Sequence, residues 1–334
     1  IGYKSLFALT SGIGNVAIGH EALDAEDDGD FNTAIGHQAL TAQTGTSGEV
    51  GNTAVGTQAA LSMTKGKHNT AVGLWALYTD DVGDGSTAIG KSALYAQNSD
   101  SDNEATGNTG VGFQVGLYNV TGTNNTWLGY KAGFGASGQS NSNNTGIGYN
   151  ALLSVSTGGG NTTVGESAGR SLSTGEFNVA IGKDALYYGS TETDGNVAIG
   201  RNCMAGNFGT AAVNDCVAIG EFAMDAVLTS AASGSVGIGH SALGALTSGA
   251  SNTAVGYNAG LSITTGAENT ILGHLAGDAI GVGNSNTLVG QASGGALADG
   301  DNNVAIGASA MASETDGNGS TAVGTSALGN QNIT

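Results

Sequence analysis

Residues 36–77, "GHQALTAQTGTSGEVGNTAVGTQAALSMTKGKHNTAVGLWAL", contain three copies of one short phrase. GHQAL, GTQAA and GLWAL each follow an aliphatic residue, and NTAVG stands between them. Aligned on the glycine of N-[TV]-A-[IVL]-G, the phrase recurs 19 times from Gly2 to Gly324, and 12 of the 18 intervals are 17 residues long. A fixed period of this length is typical of a solenoid with one coil per repeat. We therefore expect residues 1–334 to form one continuous, all-β repeat domain.

We number repeat positions from this anchor glycine, so that −1 precedes it and +1 follows it. Position −1 is aliphatic in all 19 copies, and position −3 is Thr in 12 copies and Val in six. This spacing of two predicts a short strand whose −3 and −1 side chains face the core. Position −2 is Ala or Gly in 14 of 18 copies, and we expect this small-residue face to let another chain approach closely. The exceptions are Trp127, Thr163, Ile271 and Leu288.

Ala at position +3, followed by Leu, Met, Gly or Ala at +4, predicts a second inward-facing column. Position −4 is Asn in 14 of 18 copies, which predicts a row of stacked amides that hydrogen-bond the coils above and below. Glycine occupies position −7 in all 12 of the 17-residue intervals, where we expect it to supply a turn with positive φ. The structural residues expected from these columns include Asn32, Asn52, Asn69, Asn252, Asn269, Gly36, Gly56, Gly73, Gly256 and Gly273.

The composition favours a thin core and an assembly of several chains. The chain has 60 glycines, no proline and only 5% aromatic residues, which suits uninterrupted strand ladders. One coil stack of this composition buries little surface per repeat, so we expect association through the small-residue faces. The formal net charge of −19 disfavours nucleic acid and anionic membranes as partners. No segment is apolar enough to span a membrane, and no secretion signal opens the chain.

Acidic residues cluster in the longer corners, for example in "DAEDDGD" at 24–30 and "DDVGDG" at 80–85. A solvated edge explains these clusters, and we expect no cofactor. Loop carboxylates and carbonyls are also the ligands that Ca²⁺ takes, so weak cation binding is the alternative. The candidate Ca²⁺ ligands are Asp27, Asp28, Asp30, Asp81, Asp84, Asp100 and Asp102.

The chain shows no pattern typical of an enzyme, and we expect no catalytic residues. "GIGHSA" at 237–242 imitates a dinucleotide fingerprint, but its letters are ordinary repeat positions without a βαβ context. The charged residues at variable positions show no catalytic arrangement. They are Glu166, Lys183, Arg201 and Glu221.

The histidines and cysteines also fit repeat positions. His20 and His37 fall on adjacent coils, about 4.8 Å apart, which favours a decorated solvent face over a metal pair. Cys203 and Cys216 replace small or polar repeat residues, and a disulfide between them depends on the corner geometry.

The phrases "NVAIGHEAL", "NTAIGHQAL", "NTAVGYNAG" and "NVAIGKDAL" resemble the head repeats of YadA-like trimeric autotransporter adhesins. They resemble more closely the 17-residue NTAIGYQAL-type arrays of large bacterial and phage proteins classed as tail-fibre-like. The resemblance covers essentially the whole chain. It implies a left-handed parallel β-roll with three chains around a common axis. It also implies an extracellular location, on a cell surface or a phage virion, and an adhesive role towards host, matrix or neighbouring cells.

The chain departs from the adhesin pattern in several ways. Its coils are longer than those of the adhesin heads, and we find neither a coiled-coil stalk nor a membrane anchor. Within residues 1–334 we also expect no self-cleaving chaperone domain of the kind that ends many fibre proteins. Because the chain begins and ends within a copy of the phrase, we expect it to be the repeat region of a longer protein.

Two hypotheses of function follow. The first is a rigid homotrimeric fibre segment, a rod about 85 Å long, whose partners are other copies of itself and an unidentified surface receptor or glycan. The second is a monomeric binding module for ice or surface glycans, although the spacing predicts that the Thr column points inward. Binding is expected at the two variable residues after each anchor and at the long corners, 41–51, 96–107, 186–195 and 205–215.

Overall fold

A computed structural model describes residues 1–44, 48–102, 104–189 and 192–329. The chain divides into two compact units, Ile1–Asn161 and Thr162–Thr334. Each unit is an all-β parallel solenoid with about 17 residues per coil. In the described ranges the only helix is a single 3-10 turn, Ser230–Ala232, and no helix is long and apolar enough to cross a membrane.

Nearly every coil contributes one three-residue strand, which ends just before the anchor glycine. The strands of the first unit are β1 (Val16–Ile18), β2 (Gly29–Asp30), β3 (Thr33–Ile35), β4 (Gly48–Glu49), β5 (Thr53–Val55), β6 (Thr70–Val72), β7 (Thr87–Ile89), β8 (Thr109–Val111), β9 (Thr126–Leu128) and β10 (Thr145–Ile147). Those of the second unit are β11 (Thr162–Val164), β12 (Val179–Ile181), β13 (Val197–Ile199), β14 (Val217–Ile219), β15 (Val236–Ile238), β16 (Thr253–Val255), β17 (Thr270–Leu272), β18 (Thr287–Val289), β19 (Val304–Ile306) and β20 (Thr321–Val323).

All strand pairs are parallel, and the pairs of three-residue strands join equal repeat positions. In the first unit β1, β3 and β5 to β10 pair in succession, while β2 and β4 form a separate two-stranded corner. In the second unit β11 to β20 pair in succession. Ala17 faces Ala34, for example, and Ile18 faces Ile35. This register stacks each repeat position into a column along the solenoid.

The strand face predicted to be buried is the wrong one. In every three-residue strand the middle residue, position −2, is buried, whereas positions −3 and −1 are half-buried or exposed. Ala180 is fully buried, while Ile181 is 37% exposed. Where Leu occupies +4, the coil interior leaves room only for a small residue at −2, and Ala or Gly there fills it together with Ala at +3. The small residues are therefore core, and the Thr, Val and Ile columns face outward.

The sizes of the residues at positions −2 and +4 complement each other. Ala180 at −2 accompanies Leu186 at +4, and both are fully buried. Trp127 at −2 is also fully buried, and Gly133 takes the +4 position, where an added Cβ would lie 2.3 Å from the indole ring. The same exchange pairs Thr163 with Gly169, Ile271 with Gly277 and Leu288 with Gly294. The four exceptions at −2 are thus accommodated within their own core.

The Asn residues at position −4 form a buried hydrogen-bonded row. The Asn286 backbone N–H and side-chain Nδ2 both donate to Asn269 Oδ1, at 3.0 Å each. Asn269 Nδ2 in turn donates to the Gly283 carbonyl at 2.9 Å and to Asn252 Oδ1 at 3.0 Å. In the first unit Asn32 Oδ1 accepts the Asn52 N–H at 3.0 Å. Asn52 Oδ1 accepts the Asn69 N–H at 2.8 Å. Each amide thus satisfies buried backbone groups of the next coil.

Replacing Asn269 by leucine is expected to lower the free energy of unfolding by about 3 kcal/mol. The change leaves the Asn286 N–H and the Gly283 carbonyl buried without their partner, and each unmet group costs about 1–3 kcal/mol. Asn269→Ser is the matched control, because at the same position Ser235 Oγ accepts the Asn252 N–H at 3.3 Å. Urea unfolding followed by circular dichroism measures both variants. Equal losses for Leu and Ser would contradict the assigned role of the amide.

Glycines at two positions are required for different reasons. The anchor Gly256 has φ +142°, and an added Cβ would lie 2.3 Å from the Gly273 carbonyl oxygen. The prediction for position −7 is wrong in its reason, because Gly66 and Gly266 do not adopt positive φ. Instead, a Cβ on Gly266 would lie 2.3 Å from the Gly283 oxygen, so close approach of the next coil requires glycine there. The left-handed turn residue is at −5, as in Gly14 with φ +71°.

Candidate binding groove

The positions after the anchor differ chemically from the rest of the coil. Positions +1 to +6 hold 14 of the 18 aromatic residues and six of the eight Lys and Arg residues, but only seven of the 27 Asp and Glu residues. The other positions carry 20 acidic and two basic residues, a net charge of −18. Aromatic and basic side chains therefore gather on one strip, and most negative charge lies elsewhere.

The separation of aromatic and basic residues from acidic residues is most complete in five consecutive coils of the first unit. Positions +1 to +6 after Gly73, Gly90, Gly112, Gly129 and Gly148 contain no acidic residue. They contain two lysines, Lys91 and Lys131, and eight aromatic residues: Trp75, Tyr78, Tyr95, Phe113, Tyr118, Tyr130, Phe134 and Tyr149. We call the surface formed by these positions the aromatic groove.

Coil stacking places the aromatic rings in rows. Phe113, Tyr130 and Tyr149, all at position +1, stack with 5.2 Å between successive ring centroids and interplanar angles of 8° and 11°. Tyr78 and Tyr95, both at +5, stack at 5.0 Å. These separations follow the coil-to-coil spacing, so the register of the strands aligns the rings. The rows form rigid walls and expose ring edges and hydroxyl groups.

In the aromatic groove, two clefts lie between the +2 column and the +5 and +6 columns. The larger has a volume of about 460 Å³ and is lined by Tyr130, Lys131, Phe134, Gly135, Ala136, Tyr149, Asn150, Leu153 and Ser154. The smaller, of about 190 Å³, is lined by Trp75, Ser92, Tyr95, Gln114, Leu117 and Tyr118. Both have aromatic walls and amide or hydroxyl groups beside them. The side-chain oxygen of Asn150 is buried and has no hydrogen-bond partner among the described residues.

The two lysines of the aromatic groove lie over rings rather than beside carboxylates. Lys131 Nζ is 4.8 Å from the ring centroid of Phe134 and 5.6 Å from that of Tyr130. Lys91 Nζ lies 5.7 Å from the Trp75 ring and 5.8 Å from the Phe113 ring. Among the described residues neither lysine forms an ion pair. Cation–π contact orients the ammonium groups but leaves them able to bind an anion.

The Ca²⁺ candidates do not form one site. Asp27 and Asp28 lie with Glu26 so that one oxygen of each is within 4.8 Å of the others. Asp30 Oδ1 accepts the Ile13 N–H, and Asp84 Oδ1 accepts the Lys67 N–H, each at 2.7 Å. Asp102 pairs with Lys65 at 2.6 Å. Asp81 and Asp100 belong to no group of three possible metal ligands within the described ranges.

Glu26 is the member of the acidic corner that sequence reasoning did not single out. It is fully buried, its Oε1 accepts the Gly29 N–H at 2.7 Å, and its Oε2 accepts Asn32 Nδ2 at 3.3 Å. Burial raises the pKa of this carboxyl group above its usual value. Its hydrogen bonds tie the corner to the Asn row, which is a structural role.

The remaining predicted positions have structural partners on neighbouring coils. The His20 and His37 rings stack at 5.2 Å, and Lys183 pairs with Glu166 at 3.1 Å, while Arg201 pairs with Glu221.

Cys203 and Cys216 are free and buried, and burial raises the pKa of the Cys203 thiol to about 12. In the long corners, residues 45–47, 103 and 190–191 lie outside the described residues.

In comparisons with known proteins, no protein-family model matches the chain, and no curated protein matches it.

Proposed function

We propose that this chain is a segment of a homotrimeric extracellular fibre, borne on a cell surface or a phage virion, that presents binding surface to a receptor or glycan. The observation that carries the proposal is the outward aliphatic column at position −1. Ile18 is 41% exposed, Ile89 39% and Leu272 49%, although side chains of this size are usually buried. Covered by another copy, each would contribute about 1 kcal/mol.

A second copy is the partner that fits this surface best. The column repeats at the coil spacing, so an identical chain offers the same residues at the same spacing. Three chains around a common axis close such a contact without leaving an apolar edge. The resemblance of the phrase to YadA-like head repeats supports the same arrangement, with a left-handed β-roll in each chain. The small-residue columns are internal, so the Thr, Val and Ile face takes their place at the proposed interface.

Charge substitutions on this face test the proposal. Ile89→Glu combined with Ile181→Glu is expected to leave the circular dichroism spectrum intact, because both side chains are half-exposed in the single chain. The mass in solution is expected to fall from three chains to one, since three carboxylates would meet at each of the two substituted positions in the proposed interface. Phe177→Glu is the control, because Phe177 is 69% exposed but lies at position −5, off this face. An unchanged mass in the double variant, or equal dissociation in the control, would contradict the proposed interface.

A monomeric ice-binding module is the second candidate, because the Thr column faces outward, contrary to the sequence-based prediction. Thr253 and Thr270 are exposed and adjacent in the register of β16 and β17. A flat row of hydroxyl groups at a regular spacing is the feature that favours this candidate. Thermal hysteresis of a monomeric sample would support it, and a trimer without ice shaping would exclude it.

A further inference from the structure

We propose that the aromatic groove binds an extended anionic polysaccharide, a glycan strand that carries carboxylate or sulfate groups. The inference deepens the proposed function by naming the class of ligand. It depends on the fibre only in that the groove uses positions +1 to +6, which are different repeat positions from the −3 and −1 positions of the proposed interface.

The shape of the groove favours a linear polymer. Its five coils are joined by the consecutive pairs from β6 to β10, so the columns advance by about 4.8 Å per coil and span about 19 Å. The two clefts repeat the same column arrangement at either end of this span. A compact ligand would fill one cleft, whereas an extended strand can occupy both.

The local charge favours an anion. In a chain with 27 acidic and eight basic residues, five consecutive coils carry two lysines and no carboxylate on this surface. The acidic residue that follows soonest in sequence, Asp80, is buried and accepts a hydrogen bond from Gln97 Nε2 at 2.6 Å. Lys91 and Lys131 therefore provide the positive charge of the groove, and their charge is complementary to acidic groups spaced along a polymer.

The polar groups favour a glycan over an acidic peptide. An extended peptide gains affinity mainly from an unpaired strand edge, but the backbone here already bonds the neighbouring coils. The Gln114 N–H donates to the Lys91 carbonyl at 3.0 Å, and the Gly116 N–H donates to the Ala132 carbonyl at 3.0 Å. Amides, tyrosine hydroxyls and aromatic walls together match a polymer of hydroxylated rings.

Binding of defined polysaccharides to the full chain tests the inference. The probes are polygalacturonate for carboxylates, chondroitin sulfate for sulfates, neutral dextran, and poly-glutamate as an acidic peptide. Calorimetry is expected to detect one or both anionic glycans and neither of the other two. Lys91→Gln with Lys131→Gln is expected to weaken binding about tenfold or more, because a hydrogen bond to a charged group is lost at each site.

Two matched variants complete the test. Lys67→Gln removes one positive charge, as each of the two groove substitutions does, but at a residue outside the groove, and it is expected to alter the affinity by less than about twofold. Tyr149→Ala, at a side chain that is 53% exposed, is expected to weaken binding while the circular dichroism spectrum is retained. Binding of dextran or poly-glutamate as tight as that of the anionic glycans would overturn the inference. So would the absence of binding, or an equal effect of Lys67→Gln.

The mass of each sample, measured by light scattering, separates this inference from the proposed fibre. Glycan binding by a monomer would overturn the trimer and leave the inference standing. A trimer that binds none of the probes would overturn the inference and leave the proposed fibre standing.

Discussion

Gly256→Ala is expected to destabilise the second unit by about 2–6 kcal/mol. The anchor adopts φ +142°, a conformation that costs a residue with a side chain about 1–3 kcal/mol. The added methyl group would also lie 2.3 Å from the Gly273 carbonyl oxygen, and the coils would have to separate, at a similar cost. Urea unfolding followed by circular dichroism measures the loss.

Gly324→Ala separates the two contributions. Gly324 has φ +123°, but an added Cβ would meet no atom of the described residues within 4 Å. The control is therefore expected to lose only the backbone part, about 1–3 kcal/mol. Equal losses at Gly256 and Gly324 would show that coil spacing does not require the anchor glycine.

Trp127→Ala is expected to cost about 3–5 kcal/mol, the range typical of removing a buried aromatic side chain. Trp127 is fully buried, and its paired neighbours in β8 and β10, Gly110 and Gly146, have no side chains that could fill the space. Gly133→Leu alone is also expected to be destabilising, because its Cβ would lie 2.3 Å from the indole ring.

The double variant Trp127→Ala, Gly133→Leu is expected to lose less stability than the sum of the losses in the two single variants. It restores the Ala and Leu combination found in Ala180 and Leu186, and Gly133 has φ +56°, close to the +51° of Leu186. A double-mutant cycle is expected to give a favourable coupling of about 2 kcal/mol or more. Additive losses would contradict the complementarity of positions −2 and +4.

The period of the fold and the location of its strands were predictable from the sequence, because every coil repeats the same phrase and short parallel strands must align by position. The orientation of the strands was not. A spacing of two places the −3 and −1 side chains on one face of the strand and the −2 side chain on the other. It does not indicate which of these faces is buried in the coil. The size of the aliphatic residues favours placing them in the core, as in most strands. Here Leu186 at +4 already occupies the narrow interior, which leaves room only for Ala180 at −2.

The aromatic groove was only partly predictable. The two variable positions after each anchor were expected to bind, and +1 and +2 do form one wall. The other wall is formed by +5 and +6, which the coil brings opposite +2, as Tyr118 lies opposite Gln114. That pairing depends on the left-handed backbone of the intervening residues, such as Leu94 with φ +50°. The clustering of aromatic residues and lysines without carboxylates was the available signal in the sequence.

The absolute mass of the chain in solution, measured by light scattering with and without a calcium chelator, tests the proposed fibre most directly. We predict about three times the 32.5 kDa mass of one chain, with the outward aliphatic column buried between chains. We also predict the same mass in chelator, because Asp30, Asp84 and Asp102 already have partners within the chain. A monomer would contradict the fibre, and a trimer that dissociates only in chelator would make Ca²⁺ part of its assembly.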